Sequence, residues 1–141
     1  GGQGTRYPDL IEDAFLFNRC HLIAWSLSGE NANEKNLVTG TRHLNADLMM
    51  PYEIEIARYL ESANPMSGAA ADTAAGADGQ LRHVLYRVSP LFLGRELVMR
   101  GMELEAYSVE DQGSSICFHV FLYNVQPHIT IDYRTGESRT E

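Results

Sequence analysis

The sequence predicts an α+β domain, an antiparallel sheet with a helix packed against it. Three observations carry this. Between Arg42 and Ser62, Leu44, Leu48 and Tyr52 stand four apart, as do Tyr52, Ile56 and Leu60, the period of a helix that buries one face. Residues 81–133 instead hold alternating or mostly apolar runs separated by turn residues, which is strand patterning. Two further short apolar runs, within 14–24 and at 37–41, precede the helix. At 141 residues the chain is one domain by length.

Taken in order, residues 1–13 are polar and turn-rich and predict loop. In Ala14–Ala24, Leu16 and Phe17 fit the end of a strand, with His21 at its edge. Residues 25–35 carry Ser, Gly and Asn and predict a long loop. Leu37–Thr41 predicts a short extended piece ending in a turn at Gly40. In the helical stretch Pro51 must kink the helix or open a second one at its first turn, and Asn64-Pro65 stops it. Residues 65–80, with six Ala and three Gly, predict a flexible surface loop. Strands are expected at 81–88, at 96–109 with Gly101 as a bulge, at 115–125 and at 129–133. Ser89-Pro90 and Leu93-Gly94 mark the first turn, and Asp111-Gln112-Gly113 marks a hairpin. The apolar 115–125 run reads as the central strand, and the residues after 133 read as a polar tail.

Composition narrows the function. Net charge is −8, split evenly as −4 over residues 1–64 (five basic, nine acidic) and −4 over 65–141 (six basic, ten acidic). That sign excludes nucleic-acid binding through a broadly basic surface. Of the eleven basic residues, however, ten are Arg and only Lys35 is Lys, and Arg forks match phosphate geometry. No apolar run is long enough to span a bilayer, and no signal peptide is visible in these residues. Cys20 and Cys117 both fall in apolar strand-like runs. They read as two buried free thiols, with a bridge as the alternative.

Phosphodiester hydrolysis requires an activated water, a cation on the phosphate oxygens and help for the leaving oxygen. A neutral imidazole suits the base at neutral pH. A hard ion such as Mg²⁺ takes oxygen ligands and keeps several waters, so one amide oxygen can be its only direct protein contact. His21 and Asn45 are a sufficient pair on that logic, with Arg19 for phosphate charge.

At these residues the chain resembles the DNA/RNA non-specific endonucleases of the ββα-metal (His–metal finger) fold, which include streptococcal-type secreted and DNA-entry nucleases. Their Asp-Arg-Gly-His signature stands here as Asn18-Arg19-Cys20-His21. Their Asn, nine residues to Asn, then eight to Glu stands as Asn36, Asn45 and Glu53. The likeness continues through Ser28–Asn36, Thr39–Arg42, Tyr107–Asp111 and Tyr123–Pro127, leaving 65–80 as an insertion. It implies that His21 is the general base, that Asn45 is the direct Mg²⁺ ligand (Mn²⁺ substituting), and that Glu53 holds a water on the metal. Arg19 and Arg42 would contact phosphate, and Asn36 would orient the site. The substrate would be DNA, with RNA as a second substrate, cut to 5′-phosphate products by a secreted or cell-surface enzyme. Asn18 and Cys20 depart from the family's Asp and Gly, and family strands upstream of Phe17 are expected to be missing.

Blander readings stand beside these. Asn45 could serve as a helix N-cap. Glu53 could be a solvated helix charge with Glu55 as the rival carboxylate, and Arg42 could pair with Asp47 or Glu34. Trp25 and Tyr52 read as core residues. The competing functions are a catalytically inactive nucleic-acid-binding module of the same fold, or a toxin-like interaction domain bound by a protein inhibitor.

Overall fold

A helix laid across an antiparallel sheet is the arrangement found in the computed structural model, which describes residues 5–29, 33–62, 74–75 and 81–141. β1 is Phe17–His21. It is followed by α1, the single turn Trp25–Ser28, by a 3₁₀ turn at Glu34–Asn36 and by β2, Leu37–Thr41. A π-helical segment, His43–Met49, runs directly into α2, Met50–Glu61. The remainder is β3 (Ala74–Ala75), β4 (Leu81–Arg82), β5 (Val84–Leu91), β6 (Gly101–Ser108), β7 (Cys117–Tyr123), β8 (Ile129–Ile131) and β9 (Ser138–Thr140).

β1 and β2 pair antiparallel, with His21 opposite Leu37 and Asn18 opposite Gly40. The larger sheet has the order β5-β6-β7. Strand alternation gives β6 one buried row, Met102, Leu104, Ala106 and Ser108, and an opposite row of Glu103, Glu105 and Tyr107. The helical segment packs on the buried row. Leu44 and Met49 cluster with Met99, Met102, Leu104, Leu122 and Cys20, and further along α2 Ile56 and Leu60 cluster with Ala106 and Ile116. Full burial of each such side chain is worth about 1.5–3 kcal/mol. A third small core joins Ile11 and Leu16 to Ile129 and Ile131.

Several expectations need correcting. The central strand is β6, not the 115–125 run: β7 is an edge strand whose Phe121 and Tyr123 stay exposed. β5 continues through Pro90, opposite Met102, because an edge strand has no ladder partner to lose on its free side. Gly101 begins β6 in continuous register rather than forming a bulge. There a Cβ would collide with the Leu122 carbonyl and the Phe121 ring. Gly40 lies within β2 rather than in a turn. The 25–35 stretch contains a helical turn, and the polar tail supplies β9, which pairs with β8. The 65–80 loop and the Asn64-Pro65 stop lie outside the described residues, except that Ala74–Ala75 pair with Leu81–Arg82. Pro51 sits in the first turn of α2, opening a second helical segment. Cys20 is a buried free thiol as expected, but Cys117 is exposed and no bridge joins them.

Candidate active site

β1 presents its residues alternately. Cys20 faces the core and is fully buried, which sets Arg19 and His21 on the opposite face. Immediately after His21 the backbone is fixed by Asn36. The Leu22 N–H donates to the Asn36 carbonyl at 2.9 Å. The Ile23 N–H donates to Asn36 Oδ1 at 2.9 Å, and Asn36 Nδ2 donates to the Ile23 carbonyl at 3.0 Å. Asn36 is only 8% exposed, so its amide is committed to this clamp and reaches the site only through the orientation of His21.

The start of the helical segment is capped by residues other than Asn45. Thr41 Oγ1 accepts the Leu44 N–H at 3.0 Å and donates to the Val125 carbonyl at 2.7 Å. The Thr41 N–H donates to the fully buried Asn124 Oδ1 at 2.8 Å, and the His43 N–H donates to Gln126 Oε1 at 2.9 Å. With these donors satisfied, Asn45 is free of the N-cap role that its residue type suggests. It sits half-buried inside the π segment, and nothing among the described residues hydrogen-bonds to its side chain. π segments are rare and recur at functional sites.

Glu53 belongs to the helix face that enters the core. Met49, Glu53, Ile56 and Leu60 follow the i, i+4, i+7, i+11 stripe, and the other three are buried. An apolar side chain would suit that position, yet a carboxylate stands there. Burial pushes its pKa above the ordinary carboxylate value, and the charge of His21 pulls it back part of the way. His21 and Glu53 therefore sense one another from the end of β1 and the first turn of α2. Glu53 also raises the Cys20 thiol, which burial pushes up to about 12, and the Tyr86 hydroxyl, which burial raises first. Glu55, the rival carboxylate, is exposed and lines a separate cleft with Arg58, Tyr59 and Arg82.

The donor set fits a hard divalent ion. An unpartnered amide oxygen and a half-buried carboxylate are oxygen ligands of the kind that Mg²⁺ takes, with room left for waters. A second group capable of holding a metal, Glu103, Glu105 and His119, lies on the opposite face of the sheet, with its ligand atoms within 4.8 Å of one another. There His119 Nε2 stands 3.1 Å from Glu103, and Arg87 donates to Glu105 at 2.6 Å. The cluster is satisfied as an ion-pair set on the face of β6 opposite its buried row.

Of the two arginines singled out in the sequence, Arg19 is exposed on the His21 face and makes no ion pair among the described residues. Arg42 instead reaches Glu12 at 3.4 Å and Asp13 at 3.8 Å. These replace the expected partners, since Asp47 pairs with His43 at 2.7 Å.

The antiparallel pair β1–β2 followed by this helix is a ββα unit carrying His, Asn and Glu, and residues 5–67 match the family model described as DNA/RNA non-specific endonuclease. The likeness to that family thus covers somewhat less than half of the chain. Among solved structures it is similar to the Sda1 nuclease with bound zinc ion, at 29% identity and TM-score 0.70 over 91% of this chain and 47% of that one. It is similar also to NucA from Streptococcus agalactiae with magnesium ion bound, at 27% identity and TM-score 0.72 over 100% of this chain and 60% of that one. An extracellular nuclease at 22% identity and TM-score 0.66, over 90% of this chain and 77% of that one, shares the fold. The chain thus spans about half to three fifths of the length of the two nearer nucleases. No curated protein matches it.

The capping roles of Thr41, Asn124 and Gln126 are not legible in the sequence. The Tyr123–Pro127 stretch is family-like, but a helix cap supplied from more than eighty residues away leaves no local pattern. Glu53 carried a signal of its own: it breaks an otherwise apolar stripe.

Proposed function

We propose that this chain is the catalytic core of a metal-dependent endonuclease that hydrolyses phosphodiester bonds in DNA, and in RNA as a second substrate. The observation that supports the reading is the electrostatic coupling of Glu53 to His21, with Asn45 on the same helical run. His21 stands at a strand end, Glu53 is half-buried within its electrostatic reach, and Asn45 is an unpartnered amide at the head of the same helix. The family match adds to this, as does the magnesium held by the streptococcal relative.

Asn45 would hold Mg²⁺ (or Mn²⁺ in its place) through its amide oxygen, and Glu53 would support the ion through a water. When bound, the ion supplies charge stabilisation to the phosphate oxygens and to the leaving oxygen. His21, in its neutral form, takes the proton of the attacking water at one ring nitrogen. Asn36 keeps that ring aimed by pinning Leu22 and Ile23. Arg19 holds a phosphate oxygen from the same face as His21, and Arg42 assists once released from Glu12 and Asp13. The products carry 5′-phosphates. Net charge of −8 is compatible with this, because contact is confined to a few Arg side chains. The site of action is outside the cell or on its surface, where such substrates are accessible.

Plasmid digestion tests the reading. Wild-type protein cuts with Mg²⁺, fails in EDTA, and fails as His21→Ala; ligase rejoins the products. Undiminished cutting in EDTA or by His21→Ala would reject the mechanism.

A further inference from the structure

Tyr86 presents an anomaly at the edge of this site. It lies on β5 opposite Ala106, and its ring packs against the cluster that holds Met49 and also against the one that holds Ile56. Those two residues flank Glu53 on the core-facing stripe of the helix, four before it and three after it. Tyr86 therefore spans the stretch of core into which Glu53 is set. Its hydroxyl oxygen is buried, yet it has no hydrogen-bond partner among the described residues. Buried hydroxyls are satisfied in native proteins, and an orphan requires a physical account. The buried side chains of those two clusters are almost all apolar and offer no oxygen acceptor. The charged group that acts on this hydroxyl is Glu53. Direct hydrogen bonding is not made, and a polar pair held beyond direct reach in a core is where one water bridges.

We infer that the Tyr86 hydroxyl is a positioning group of the metal site, donating through one bridging water to the Glu53 carboxylate and holding it aimed at the ion. The inference rests on the proposed role of Glu53. It makes the β5 strand, outside the ββα unit, part of the site. Groups that orient a metal's outer ligands typically govern about 10- to 100-fold in affinity or activity. Tyr86→Phe isolates the effect, since the ring and its packing are retained and only the hydroxyl leaves.

The test measures Mg²⁺ binding calorimetrically, without nucleic acid, for wild type, Tyr86→Phe, Glu53→Gln and the double variant. Urea unfolding in EDTA and kcat and KM on plasmid are measured alongside. The expected result is a Mg²⁺ Kd raised about tenfold in Tyr86→Phe, a lower kcat with KM for DNA unchanged, and metal-free stability equal to or above wild type. In the Glu53→Gln background the same change has no further effect on Mg²⁺ affinity. Mg²⁺ affinity within twofold of wild type, additive losses in the double variant, or a drop in metal-free stability would each overturn the inference, the last by making the hydroxyl a packing group. Absence of Mg²⁺ binding and cleavage in the wild type would instead remove the proposed function, and the inference with it.

Discussion

Asn124 carries the start of the helical segment: its Oδ1 accepts the Thr41 backbone N–H at 2.8 Å. The same amide donates to the Met99 carbonyl at 3.0 Å, tying the helix head to the segment that enters β6. All of these groups are buried, and Tyr133 Oη in turn donates to the Asn124 carbonyl at 2.6 Å. Asn124→Ala strands one donor and one acceptor away from water, at about 1–3 kcal/mol each. The expected loss is about 2–4 kcal/mol, read as a lower urea midpoint with unchanged m-value. Mg²⁺ affinity falls with it, since Asn45 lies one turn beyond Thr41. A midpoint within experimental error of wild type would show that the helix head is held by Thr41 Oγ1 and Gln126 alone.

The contrast between Asn45 and Asn124 shows what the sequence could and could not reveal. Asn45 can be singled out from sequence because the expectation placed on it is local: a fixed spacing from Asn36 and Glu53 on a chain whose periodicity announces a helix. Asn124 cannot, because its role depends on a contact across 83 positions, and no periodicity encodes that. The same division runs through the fold. The helix, β1 and the existence of the C-terminal strands follow from residue spacing. Which strand is central does not, because β6 and β7 both alternate and the choice rests on which edge the chain leaves open. Cys117 is exposed rather than buried for the same reason: strand alternation fixes that residues 117 and 119 share a face but not which face meets the helix.

Arg19 and Arg42 differ in what holds them, and that separates the contributions to substrate binding expected of them under the proposed function. Arg19 is exposed and without an ion pair among the described residues, whereas Arg42 is held by Glu12 and Asp13. Arg19→Ala is expected to reduce kcat/KM by about tenfold or more, about 1.4 kcal/mol or above. Arg42→Ala changes it by less than about threefold, because that guanidinium must leave two carboxylates before it reaches phosphate. Glu12→Gln/Asp13→Asn then raises activity through the released Arg42. Steady-state kinetics on one plasmid substrate at fixed salt, needed because phosphate contacts are salt-dependent, checks the order.

Two carboxylates give opposite pH signatures. Glu110 accepts the His83 N–H at 2.8 Å, and this bond leads the causes that lower its pKa from 4.5 to about 2. A depressed folded pKa contributes stability above the unfolded value that is lost as pH falls through the folded one. Glu110→Gln is therefore less stable than wild type at neutral pH, and the gap closes between pH 4.5 and about 2. Glu53 is raised by burial, so its contribution is present below the ordinary value and lost as pH rises through the raised one. In EDTA, Glu53→Gln matches wild type below about pH 4.3 and becomes the more stable protein as pH rises toward 7. Urea midpoints from pH 2 to 8 read both curves, and a Glu53→Gln protein less stable than wild type at neutral pH would contradict the buried carboxylate.

Cys20 stands where the family signature has glycine, and Gly40 on the neighbouring strand makes room for it. A Cβ built on Gly40 would lie 2.6 Å from Cys20 Sγ and 3.5 Å from Cys20 Cβ and from Leu44. The sulfur is thus the obstacle, and the rest of the pocket is ordinary contact. Gly40→Ala is expected to cost about 1–3 kcal/mol by overpacking, and to push on β1 one residue before His21. Removing the sulfur first, in Cys20→Ala, leaves space for the new methyl group, so Gly40→Ala becomes cheaper in that background. The two substitutions couple by about 0.5 kcal/mol or more. Burial also holds the thiol up at about 12, so iodoacetamide labels Cys117 in the native protein and reaches Cys20 only after unfolding. Additive midpoints in the double-mutant cycle, or equal labelling of both cysteines under native conditions, would show that the sulfur does not occupy the space beside Gly40.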